Sequence, residues 1–211
     1  VNNEIGAVEP IAEAGALIKQ CNPQTLFHVD AIQSYGKMRI YPAKMHVDLL
    51  SVSGHKIHGP KGSGFLYIKD KTKIHPLLNG GGQQRGMRSG TENLPGIVGL
   101  ARATQLICGS LKENYEHAVQ LNGIFRKILQ EEIRSCIVIS AEDRCSPYIL
   151  NVAFPGLRAE VIQHSVETKG VYLSVGSACS SHKKDREHLC RSEKALRATQ
   201  GKPRLTEKGW I

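Results

Sequence analysis

An α/β fold with a mostly parallel sheet, followed by a smaller α+β unit, is what the sequence predicts, and three observations predict it. Between residues 9 and 68, short β-rich runs alternate with a helical pattern, as in layered α/β domains. Two of those runs end in polar, chemistry-bearing side chains, as strands of parallel sheets do where they meet a ligand. Beyond residue 110 the texture shifts to a long helical pattern and shorter apolar runs.

Residues 9–20 place Ile11, Ala14, Leu17 and Ile18 on one helical face, with Pro10 near the start, where its missing N–H costs nothing. "TLFHVDA" reads as a strand ending in an acid, "VDLLSVSGHK" as a second buried strand, and "GSGFLYIKD" as a third. "GGGQQRGMRSGT" (80–91) is too glycine-rich and polar for an element and reads as a loop. Helical patterns cover 93–109 and 111–133, where Leu111, Tyr115, Ala118, Phe125 and Ile128 recur at helical spacing. Strand, helix and strand then resume in "CIVIS", "YILNVAF", "AEVIQHSVETKG" and "VYLSVGSACSS". The expected division is 1–110, 111–181 and a basic tail, 182–211.

Composition is that of an ordinary globular protein, 40% hydrophobic and 22% charged. No run of about 18 apolar residues is present, so no membrane span is expected. The opening "VNNEIGAVEP" has neither the basic nor the apolar region of a signal peptide. It reads as a chain cut at its front. Six cysteines (Cys21, Cys108, Cys136, Cys145, Cys179, Cys190) contain no C-x-x-C pair, so they read as reduced thiols of a cytoplasmic protein. No metal is expected, because a tetrahedral zinc site needs close-spaced ligand pairs. Net charge is +9, of which +5 lies in His182–Ile211, nine Lys/Arg against four Asp/Glu. Trp210 is the one aromatic residue there, a poor base-stacking platform. Nucleic acid is therefore not the expected partner.

Asp30, Gln33, Ser53, His55 and Lys56 form the set that could do chemistry. Each alone is ordinary, and a lysine after a strand is commonly a surface charge. Together they suit pyridoxal phosphate. A carboxylate keeps the pyridine nitrogen protonated, and a lysine forms a Schiff base with the aldehyde. Gln33 could donate to the phenolic oxygen, and Ser53 with His55 to the phosphate. Cys179 stands among Gly176, Ser177, Ala178, Ser180 and Ser181, with His182, Lys183 and Lys184 after it. Small neighbours and positive charge suit an exposed thiolate. The other five cysteines read as buried and structural.

"VNNEIG", "HVDAIQSYGK", "DLLSVSGHKIHGPKGSGFLYI" and "GGGQQRGMRSGTEN" resemble the cysteine desulfurases, class V members of the fold-type I pyridoxal-phosphate enzymes. The resemblance runs to about residue 181. It implies that residues 1–110 are the C-terminal part of the cofactor-binding large domain and 111–181 the small domain. It implies Asn3 at the ring oxygen, Asp30 at the pyridine nitrogen and Gln33 at the phenolic oxygen. Ser53 and His55 would hold the phosphate, and Lys56 would be the Schiff-base lysine. Thr91 would reach the phosphate of the partner in a homodimer. Cys179 would take sulfur from L-cysteine, leaving alanine, and pass it to an acceptor protein for iron–sulfur or thiolation pathways. A selenocysteine-lyase-like variant is the near alternative.

Two departures accompany the resemblance. The family's first half has no counterpart, so the chain is expected to be a fragment, inactive by itself and at most a binding or dimerisation module. After Ser181 the family has a strand carrying an Arg for the substrate carboxylate. "HKKDREHLCRSEKALRATQGKPRLTEKGWI" does not match it, and Arg191, Arg197 and Arg204 cannot be aligned with that Arg.

Overall fold

The structure is a computed structural model that describes residues 1–133 and 135–175. It divides into two compact units. The first comprises Val1 and Val8–Val119, the second Asn2–Ala7 and the described residues from Gln120 onward. The division falls inside a helix, nine residues past the position read from the sequence.

In the first unit, α1 (Ile11–Cys21) begins after Pro10, with Glu13 in its first turn and Lys19 in its last. Both charges complement the helix dipole. Its inward face is Ile11, Ala14, Gly15 and Ile18. Leu17, expected on that face, is 60% exposed. Gly15 explains the rotation: a Cβ there would collide with the Met45 carbonyl oxygen, so the helix presses its smallest residue against the neighbouring turn.

Strands β1 (His28–Asp30), β2 (Leu49–Ser53) and β3 (Gly64–Ile68) form a sheet in the order β1-β2-β3. β1 and β2 are parallel, with Asp30 opposite Ser51, and β3 returns antiparallel, with Gly64 opposite Ser53. Among the described residues the sheet thus has one parallel and one antiparallel pair. The Gly54–Ser63 connection is shorter than the dozen or so residues a parallel crossover requires. The Ala31–Asp48 connection is long enough.

Ala31, Val47, Leu50 and Val52 make the core beneath the sheet, packed by Ile11, Phe27, Val29, Tyr35, Ile40, Met45 and Tyr67. A second cluster, Ile57, Leu100 and Ala103, ties the loop after β2 to α2 (Leu94–Gly109). Asp48, buried just ahead of β2, accepts hydrogen bonds from Lys19 Nζ (2.5 Å), Phe27 N (2.9 Å) and Lys69 Nζ (3.4 Å). One carboxylate thereby joins the end of α1, the approach to β1 and the residue after β3.

α3 (Leu111–Glu132) carries the helical pattern expected at 111–133, yet Tyr115, Phe125 and Ile128 are exposed and Leu129 is its buried residue. In the second unit, β4 (Ile137–Val138) and β5 (Val152–Ala153) pair antiparallel, and α4 (Ala159–Glu167) follows. Asn2–Ala7 is stitched into this unit. Ser140 Oγ donates to Ile5 O (2.7 Å), Ser146 N to Gly6 O (2.8 Å) and Asn151 Nδ2 to Glu4 O (3.1 Å). Among the described residues no single helix is long and apolar enough to cross a membrane.

Candidate functional site

Because β1 and β2 run parallel, their carboxyl ends lie at one edge of the sheet, and the predicted residues stand there. β1 ends at Asp30. Its Oδ1 accepts from Ile32 N at 2.8 Å, which fixes the carboxylate at the strand end and leaves Oδ2 available. β2 ends at Ser53 and passes into a 3₁₀ turn, Gly54–Ile57, that contains His55 and Lys56. Ser53 Oγ and His55 Nδ1 are 2.8 Å apart, so hydroxyl and imidazole orient each other. Asp30, His55 and Lys56 are exposed, while Ser53 and Gln33 are half-buried.

The turn after β1, Ala31–Met38, is held by Tyr35 N to Ala31 O (2.8 Å) and Met38 N to Ser34 O (3.1 Å). Gly36 lies in it at φ +73°, and a Cβ there would come within 3.0 Å of Ile57 Cγ2 and of Ile107 Cγ2. Only glycine suits that backbone and that approach. The contact sets the turn after β1 against the turn after β2, so Lys37 and Lys56 flank residues that touch.

Lys37 is a member of the site that the sequence reading missed. Its Nζ donates to Gln33 Oε1 at 3.2 Å. Burial, and next the charge of Lys56, push its ammonium below the ordinary lysine range. Its four-residue spacing from Gln33 in "AIQSYGK" was the available signal.

The remaining predicted residues belong to other segments of the chain. Thr91 is exposed in the segment before α2, following a 3₁₀ turn at Gln83–Gly86. Asn3 is exposed in a turn of the second unit, where Asn2 Oδ1 accepts from Glu4 N (2.8 Å) and Ile5 N (2.9 Å). Cys179 lies outside the described residues, as do Cys190 and the basic tail. The expectation that the other cysteines are buried needs correcting. Cys21 and Cys108 are exposed, and Cys136 and Cys145 are half-buried. Cys21 ends α1 and Cys108 falls in the last turn of α2, where a helix surface turns to water.

A family profile for aminotransferase class-V matches residues 1–200. The chain belongs to the aminotransferase class-V family. Within it, the chain is 41% identical over 190 residues to the cysteine desulfurase IscS of Clostridium botulinum, covering 89% of this chain and 47% of that one. To the mitosomal cysteine desulfurase of Encephalitozoon cuniculi it is 38% identical over 194 residues, covering 91% and 44%. The solved NifS-like protein of Rickettsia africae superposes with a TM-score of 0.78 at 30% identity, covering 84% of this chain and 48% of that one. The chain spans about half the length of the curated relatives it matches. As a class V member it has the fold of the type I pyridoxal-phosphate enzymes, in part.

Proposed function

We propose that this chain is part of a pyridoxal-phosphate-dependent cysteine desulfurase. The observation that carries the reading is Asp30 and Lys56 at the carboxyl ends of two adjacent parallel strands. The donor set fits the cofactor: an anchored carboxylate, a half-buried carboxamide, a hydroxyl paired with an imidazole, and an exposed amine. When bound, pyridoxal phosphate supplies an aldehyde for lysine capture and a ring that withdraws electrons once its nitrogen is protonated.

Each side chain then has a task of its own. Asp30 holds a proton at the pyridine nitrogen, and its bond to Ile32 N keeps the carboxylate from swinging away. Gln33 donates to the phenolic oxygen. Ser53 and His55 donate to the phosphate, the imidazole turned by its bond to the hydroxyl. Lys56 is the amine that would hold the cofactor through its aldehyde. Asn3 adds a polar contact at the ring oxygen, and Thr91 serves the phosphate of a second copy in a homodimer. Cys179, as thiolate, would attack the substrate sulfur. The new S–S bond forms as the substrate's carbon–sulfur bond breaks, and the electron pair stays with the carbon skeleton, which is protonated and leaves as alanine. The persulfide passes its sulfur to an acceptor protein in a cytoplasmic setting of reduced thiols. L-Cysteine is the proposed substrate, with selenocysteine the near alternative.

A second reading concerns the 211-residue chain by itself, as a binding or dimerisation module. The apolar side chains that α2 and α3 leave exposed, among them Leu94, Val98, Leu106, Leu121 and Ile124, favour it.

Borohydride reduction in the presence of pyridoxal phosphate tests the first reading. The chain is used alone and co-expressed with the front half of a related desulfurase. Reduced cofactor is expected on the peptide containing Lys56 in the complemented protein. Label on Lys61 or Lys69 instead overturns the assignment.

A further inference from the structure

Lys37 occupies a place that is unfavourable for an ammonium group. It is half-buried, and the Gly36–Ile57 packing sets its turn against the turn that bears Lys56. A methionine would fill the same space without a charge to desolvate. What the charge does there follows from its bond to Gln33. An ammonium has donors and no acceptor, so the carboxamide must present its oxygen to Lys37. The NH2 end is then turned away from Lys37. Chemistry alone decides the orientation of this amide.

We propose that Lys37 is a positioning residue that fixes the polarity of the Gln33 carboxamide, so that its NH2 group is presented as donor to the phenolic oxygen of the bound cofactor. The inference rests on the reading of Asp30, Gln33 and Lys56 as a pyridoxal-phosphate site. Without the ammonium, a glutamine can turn either end outward, and half of those states set a carbonyl oxygen against a phenolic oxygen. With it, one state is selected. The lowered proton affinity of Lys37 comes first from burial and next from the charge of Lys56, and the bond to Gln33 Oε1 offsets part of that cost.

The test has a cofactor-free arm and a loaded arm. In the isotopically labelled 211-residue chain, the side-chain amide resonances of Gln33 are expected to move with the titration of Lys37, at a pH below the ordinary lysine range. Lys37→Met abolishes that movement, and Lys37→Arg keeps the resonances near their native low-pH position. In the complemented protein loaded with pyridoxal phosphate, the readout is the pH at which the visible band changes. A donor on the phenolic oxygen draws negative charge from it and eases loss of the neighbouring nitrogen's proton, so losing the donor raises the midpoint. Lys37→Met is expected to raise it by about one pH unit, a tenfold change in proton affinity. Lys37→Arg restores the native midpoint, and in a Gln33→Leu background Lys37→Met adds no further shift. Gln33 resonances indifferent to Lys37, or an undiminished shift in the Gln33→Leu background, overturn the inference. A native complemented protein that fixes no cofactor on Lys56 overturns the site reading itself, whatever the resonances show.

Discussion

Replacing Asp48 with alanine removes the acceptor on which three parts of the first unit converge. Phe27 N loses a partner at 2.9 Å and Lys19 Nζ one at 2.5 Å, both held by Oδ2. Lys69 loses a weaker one at 3.4 Å. Breaking one side of a fully buried pair costs about 3–5 kcal/mol. Here the Lys19 side chain is 18% exposed and that of Lys69 is 49% exposed, so water recovers part of the loss. A destabilisation of about 2–3 kcal/mol is expected. With a urea dependence of about 1–2 kcal/mol/M, the midpoint falls by roughly 1–3 M. Far-ultraviolet circular dichroism during urea titration reads it directly. Lys19→Met should cost more than Lys69→Met, because Lys19 is the more enclosed partner. The pH dependence has a definite sign. Burial pushes the Asp48 carboxyl up, but the bonds from Lys19, Phe27 N and Lys69 outweigh it and hold the group below the usual carboxylate range. Its contribution is therefore complete above the unfolded value, near about 4, and fades as pH falls through the lower folded value. A midpoint within about 0.3 M of native for Asp48→Ala, or Lys69→Met as costly as Lys19→Met, refutes the reasoning.

Gly36→Ala forces a side chain onto a backbone at φ +73° and within 3.0 Å of Ile57 and Ile107. A loss of about 2 kcal/mol or more in urea unfolding is expected, and a variant as stable as native shows that the two turns do not need this approach. Asp30→Asn in the complemented enzyme is expected to keep the cofactor but slow sulfur release by about two orders of magnitude or more, since each pKa unit at the ring nitrogen is worth about 1.4 kcal/mol; a near-native rate in single-turnover assays rules the role out. Cys179→Ser is expected to retain cofactor absorbance and release no sulfur. Because Cys21 and Cys108 are exposed, alkylation order is a poor probe, and persulfide mapping by mass spectrometry is the measurement. Persulfide chiefly on Cys145 or Cys190 sinks the proposal.

What the sequence determined by itself was local. Pro10 at a helix start and the apolar runs that became β1, β2 and β3 act within a few residues. The chemistry of the edge was equally plain, because Asp30, Ser53, His55 and Lys56 each end or follow a strand in the chain itself. Tertiary structure decided what depends on partners distant in sequence. Leu17 turned outward because α1 needed Gly15 against Met45. β3 reversed because its connection is short. Asn2–Ala7 joined the second unit through hydrogen bonds to residues such as Ser140 and Asn151, more than a hundred positions away. Lys37 entered the site by the same logic. Its four-residue spacing from Gln33 was written in the chain, but its proximity to Lys56 depends on Gly36 meeting Ile57. Periodicity records the face a residue shares with its near neighbours. Which surface that face meets is settled only when excluded volume brings the distant segments together.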